Sequence, residues 1–203
     1  MDTQGLDQTL PPNQEDASRE RLLIAAQHLF CRYGVQGVGV AKVLEEAGVS
    51  RKTLYQRFRS KDDLVRAVLE REGEEWRAWL SAGVDASQGS SRDRLLGVFD
   101  LLEEWFSADN FYGCAFINAV AEHDKVTIPV SDAVKKHREL TDEMLLNLAR
   151  DAGAVDPSLL VRALGIVIDG AIVTAMLERS ERSERAAGDA KDIAALLIDA
   201  HCT

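Results

Sequence analysis

The sequence predicts an all-α fold in two parts, a small N-terminal unit of three helices and a larger helical body. Three observations carry that expectation. Apolar residues recur at helical spacing along most of the chain, as in Leu22, Ala26 and Leu29. No segment alternates apolar and polar residues over strand length between turn signals. Helix stops and starts punctuate the periodic stretches at Gly34, Gly48, Ser50, Ser60 and Asp156-Pro157. The chain divides accordingly into a disordered tail (1–16), an N-terminal domain (17–61) and a C-terminal domain (62–203).

Taken in order, the tail holds Pro11-Pro12 and little that can be buried. The first helix is expected from Ser18 to Tyr33. Leu22, Ala26, Leu29 and Tyr33 form its apolar stripe, with Leu23 and Phe30 beside it, and Gly34 stops it. A short helix over Val40 to Ala47 ends at Gly48, and Ser50 caps the next, Arg51 to Phe58. Ser60 to Asp63 reads as a capping box for a long fourth helix that continues to Leu80. Residues 81–91 read as a flexible connector. Later helices are expected over 92–107, 114–124, 130–151, 157–180 and 189–201, with Pro157 at a first helical position.

The net charge of −10 argues at first against nucleic acid, but its distribution reverses that. Residues 17–61 hold nine Lys/Arg against three Asp/Glu, a net of +6, while residues 62–203 hold fifteen against twenty-seven. A basic block on an acidic body is the electrostatic footprint of a DNA-binding module with a second function attached. Cys31, Cys114 and Cys202 lie far apart in sequence, so neither a disulfide framework nor a metal site is expected. The acidic opening residues do not read as a signal peptide, and the apolar run Leu164 to Leu177 reads as too short to cross a bilayer. The expectation is a cytoplasmic protein with no membrane association.

The informative part is the pair of short helices joined by Ala47-Gly48-Val49-Ser50. Gly48 supplies a left-handed turn, Val49 plugs the angle and Ser50 caps the second helix. Leu54 and Phe58, four apart, face inward. Arg51, Lys52, Thr53, Gln56 and Arg57 then face outward, with donors suited to base edges and phosphates in a major groove. Tyr55 can lie against the sugar-phosphate backbone. Lys61, in the first turn of the fourth helix, sits where a phosphate clamp would be.

Ala47 to Ser50, Thr53-Leu54-Tyr55, Phe58, and Ser60-Lys61 with Leu64, all within Gly34 to Leu69, resemble the DNA-binding domain of the TetR family. One departure stands out: many members carry Thr or Ser where Val38-Gly39 stand, so no side-chain hydroxyl is available there to touch phosphate. Tyr112 to Ala119 and Leu164 to Ile172 resemble a subgroup of the same family. The resemblance implies a C-terminal helical ligand-binding and dimerisation domain. It implies a homodimer on a palindromic double-stranded DNA operator, acting as a repressor released by a small-molecule effector that it does not name; the apolar and aromatic residues of the body suggest that this effector is hydrophobic. A regulator controlled by a protein partner is the alternative.

In the body, Leu164, Ile168, Ala171, Ile172 and Ala175 share one helix face, and Ile193, Leu196, Leu197 and Ala200 form a second stripe. Together they are the expected dimer interface, or else they bury against their own domain. Asp169 interrupts the first helix and reads as an interface bond, a pocket group or, in the preferred reading, a side chain turned to solvent. Trp76, Trp79, Trp105, Phe106, Phe111 and Phe116 supply the aromatic surface, either as core or as a cavity lining. Cys114, Asn118 and Glu122 fall at i, i+4, i+8, so they present a polar stripe either to that cavity or to the surface. The expected ligand-binding set is Trp76, Trp79, Trp105, Phe106, Phe116, Asn118 and Glu122. No catalytic residue, metal ligand or cofactor site is expected, because no nucleophile elbow, phosphate loop or metal pair occurs.

Overall fold

The computed structural model describes residues 14–122, 128–177 and 183–202. Among them are nine helices: α1 (Gln14–Tyr33), α2 (Val40–Ala47), α3 (Arg51–Arg57), α4 (Lys61–Ala86), α5 (Ser91–Phe106), α6 (Ala115–Glu122), α7 (Ile128–Asp151), α8 (Pro157–Leu177) and α9 (Ser183–His201). The fold is all-α, as the periodicity predicts. The segment 1–13 of the expected tail lies outside the described residues, and 14–16 are already helical.

Two hydrophobic clusters organise the chain. The first is built by Leu22, Leu29, Val43, Leu54 and Phe58 of the N-terminal segment. It runs past residue 61 to Leu64, Val65, Val68 and Leu69 on α4, and takes in Phe116 and Ala119 of α6. The second joins Leu80 and Val84 of α4 to Phe99, Leu102, Leu145, Leu160, Leu164 and Ile198. Helix α4, 26 residues and hence about 39 Å long, therefore has one end in each core. Its N-terminal half is tied to α1 by Arg71, which bonds Glu20 at 2.6 Å and Glu75 at 2.7 Å.

Several local expectations are corrected. Residues 81–86 are the last turns of α4 rather than a connector. Val84 is buried there, and Leu101 packs over Gly83 where a Cβ would stand. Packing thus overrides the weak helix propensity of that stretch. The true joint is residues 87–90, closed by a reciprocal capping box between Ser90 and Asp93. At the start of α4 the expected box is only half formed. The Ser60 hydroxyl accepts from Asp63 N–H at 3.1 Å, but the Asp63 carboxylate takes the Arg59 N–H at 3.0 Å. Tyr33 leaves the apolar stripe of α1: it is 47% exposed, and the Lys42 ammonium lies 3.8 Å over its ring.

Helix α8 starts at Pro157 as expected, and 178–180 of its expected span lie outside the described residues. Its 21 residues are long and apolar enough by length and composition to cross a membrane. Its apolarity has another use here, because Leu160, Leu164, Ile168, Ile172 and Ala175 are buried against neighbouring helices.

Candidate nucleic-acid interface and internal cavity

The turn between α2 and α3 is built as its residue types require. Gly48 sits at φ 62°, ψ 39°, a left-handed conformation that L side chains rarely adopt, and Val49 N–H closes back on Leu44 O at 3.2 Å. The Ser50 hydroxyl accepts from Thr53 N–H at 3.1 Å and caps α3. Leu54 and Phe58 are buried, which turns Arg51, Lys52, Tyr55 and Gln56 outward on one exposed face. Two expected outward residues differ. Thr53 is half-buried, with its hydroxyl 2.8 Å from that of Ser50, and Arg57 is half-buried at the end of the helix. Lys61 is half-buried as well: its ammonium donates to Val35 O at 2.6 Å and so braces the α1–α2 turn. Gly39 caps α2 without a side-chain bond, which leaves the N–H groups of its first turn unoccupied by a hydroxyl. The exposed Lys42 beside that turn went unnoticed in the sequence; its place in the basic block was the available signal.

Behind this unit lies a cavity of about 640 Å³. It reaches from Ile24, Gln27 and Cys31 on α1 to Ile168 and Asp169 on α8. Of the expected ligand set, Trp76, Trp105 and Phe116 line it. Trp79 instead packs on Trp76, with ring centroids 6.3 Å apart, and Phe106 is buried against Phe111. The side-chain amide of Asn118 donates to Tyr112 O at 3.2 Å and fixes the loop before α6. Glu122 faces the N-terminal unit: it accepts from Gln36 N–H at 2.8 Å and lies over Gly34, whose φ of 75° and missing side chain allow that approach. The Cys114–Asn118–Glu122 stripe therefore splits, and only Cys114 meets the cavity.

The cavity's polar wall is made by residues the sequence had assigned elsewhere or passed over. Asp169 lines it while 47% of its side chain stays exposed, and takes the Arg138 guanidinium at 2.8 Å, while Asp142 takes the same group at 3.1 Å. Glu72 accepts from the Gln27 amide at 2.6 Å and from the Cys31 thiol at 3.5 Å. His137 stacks on Phe116 at 3.7 Å and bonds Arg77 at 2.9 Å. Burial, with Arg77 and Arg138 close by, lowers the pKa of His137 from 6.5 to about 4, so the ring is neutral at neutral pH. Burial pushes the Cys31 and Cys114 thiols up, which holds both in the weakly nucleophilic protonated form.

The expected dimer face is corrected by burial. Leu164, Ile168, Ala171, Ile172 and Ala175 are buried in the protomer's own core and have almost no surface left for a partner. The opposite face of α8 carries Leu159, Ile166 (73% exposed), Val173 and Leu177 (80% exposed). Beside it, α9 exposes Ile193 and Leu196 (72%), while Leu197 packs partly on the body core.

Comparison with known proteins agrees with this architecture. Residues 22–68 match the profile described as bacterial regulatory proteins, tetR family. The chain is 31% identical over 154 residues to the HTH-type transcriptional activator FasR of Mycolicibacterium smegmatis, covering 75% of this chain and 68% of FasR. It is 29% identical over 109 residues to the HTH-type transcriptional repressor NemR of Escherichia coli, covering 53% of this chain and only 55% of NemR. The crystal structure of SCO4454, a TetR-family transcriptional regulator from Streptomyces coelicolor, superposes with a TM-score of 0.84 at 29% identity, covering 93% of this chain and 97% of that one. The chain therefore belongs to the tetR family of bacterial regulatory proteins and is a DNA-binding transcriptional regulator, not an enzyme.

Proposed function

We propose that this regulator is a homodimeric repressor that grips a palindromic operator with paired α3 helices and releases it when a small molecule fills the cavity. One observation carries the reading: the cavity is walled by α1 of the N-terminal unit as well as by α4 to α8 of the body. A ligand there touches both the DNA-gripping segment, 17–61, and the sensing body, 62–203. Its volume lies within the range of roughly 300–1,000 Å³ usual for small-molecule sites. Arg51, Lys52, Tyr55 and Gln56 contact the groove, and the open N-terminus of α2 contacts phosphate. Thr53, Arg57 and Lys61 hold that surface in shape. The dimer forms through the exposed face of α8 and α9, where an apolar stripe and the exposed small residue Gly170 allow close helix approach. Repression is favoured by the name of NemR and activation by that of FasR, so the sign of control is part of the test.

Release follows from two attachments. Helix α6 begins at the cavity and ends at Glu122, which holds the α1–α2 turn through Gln36 N–H. Helix α4 runs from the recognition unit to the tryptophans of the cavity. A ligand that favours a shifted α6 or α4 changes the spacing of the paired recognition helices, and operators demand a fixed spacing. The test selects bound duplexes from a random pool and then screens compounds by tryptophan emission. Each hit is scored for release of the selected duplex, and a reporter driven by that operator reads the sign. Release by a cavity-binding compound is expected. A protein that binds no duplex overturns the reading outright, and one whose cavity ligands never alter DNA affinity overturns ligand release and leaves control by a protein partner ahead.

A further inference from the structure

We propose that the cavity takes a ring-bearing organic cation, held between its aromatic faces and an uncompensated acidic wall. The inference rests on the small-molecule reading above and names the class of molecule. Three carboxylates line the cavity, Glu72, Asp142 and Asp169, against one guanidinium, Arg138, among the described residues. Arg138 is already shared between Asp142 and Asp169, so it offers an incoming anion no free charge. Both hydrogen-bond donors to Glu72 are neutral, the Gln27 amide and the Cys31 thiol. His137 adds no charge at neutral pH; Arg77, which bonds it at 2.9 Å, lies outside the lining, and His28, at the α1 rim, lies 3.4 Å from Glu46.

The rest of the wall selects rings. Trp76 and Trp105 meet edge to face with centroids 6.0 Å apart, and Tyr112 and Phe116 line the same space. An indole face is the best aromatic partner for a cation, and the attraction grows as water is removed. Carboxylates lacking a full complement of cations act in the same direction, although Asp142 and Asp169 are 35% and 47% exposed and solvent screens part of their charge. A neutral ligand gains nothing from the acidic excess, and an anion is repelled by it.

The experiment uses the full chain and three probes: tetraphenylphosphonium and tetraphenylborate, which carry four phenyl rings each and opposite charge, and triphenylphosphine oxide, which is neutral with three rings. Each is titrated by tryptophan emission and by calorimetry. The phosphonium is expected to bind about tenfold or more tighter than the oxide, with no measurable binding of the borate. Glu72→Gln with Asp142→Asn should shrink the gap between phosphonium and oxide. If that variant does not fold, the charge preference of the native chain decides alone. Equal or tighter binding of the oxide or the borate overturns the proposal yet leaves a small-molecule cavity. A phosphonium that fills the cavity without loosening the operator upholds the charge assignment and overturns the release reading. Binding by none of the three overturns the proposal, while the unrestricted compound screen still decides the release reading.

Discussion

Glu122 is the residue on which the link between cavity helix and recognition unit turns. Its carboxylate holds one backbone N–H of the α1–α2 turn, and a bond from a neutral donor to a charged acceptor is stronger than a neutral pair. Glu122→Gln should raise the hydrogen-exchange rate at Gln36 and lower stability by roughly 1 kcal/mol, less than a buried bond because the contact is exposed. Unchanged protection at Gln36 would remove Glu122 from the release pathway. His137 carries a pH signature. Its folded pKa is depressed, from 6.5 to about 4, so between those values the unfolded chain binds the proton and the folded chain does not. Stability from this group is therefore fully present above about pH 6.5 and is lost as pH falls toward 4. His137→Phe keeps a ring against Phe116 and should flatten the fall in Tm between pH 7 and 5; parallel curves for both proteins would contradict the assignment.

Among the elements, α3 depends most on one local bond. Ser50→Ala removes the hydroxyl that caps it and should cost about 1 kcal/mol. Duplexes of every sequence should lose affinity alike, since the helix frays before any base is read. Gln56→Ala should instead change the preferred sequence, as measured by selection from a random pool. Helix α8 allows a paired test of the dimer. Ile166→Asp places charge on the exposed apolar face and should yield folded monomers by light scattering and circular dichroism. Ile168→Asp buries a carboxylate in the protomer core and should lower stability by several kcal/mol, reducing the folded fraction. A dimeric Ile166→Asp protein would move the interface elsewhere. Helix α8 also marks what the sequence leaves open. Its mean hydropathy is high all round, so periodicity predicts a helix but cannot tell the face that packs inside from the face left outside. The turn from Gly48 to Ser50 was legible because a left-handed glycine and a capping serine act locally. Asp169 was not, because its partner Arg138 is 31 residues away and only the packing of α7 on α8 joins them.

At the scale of the molecule, a basic recognition unit is joined to an acidic body through one continuous helix and one cavity wall. The three tryptophans, Trp76, Trp79 and Trp105, lie in the body, and two of them line the cavity, so emission reports ligand rather than DNA contact. The cavity itself could not be read from spacing, since empty space is a property of assembled helices. What the sequence does encode is the aromatic content from which the wall is drawn. The most direct test of the account is a linkage measurement on a cavity-binding compound identified by tryptophan emission. Its affinity is measured with and without saturating operator, and operator affinity is measured with and without saturating compound. Both are expected to fall, and by the same factor, because two ligands that favour opposite states of one equilibrium must couple reciprocally. Operator affinity that stays constant while the cavity is demonstrably full would contradict it.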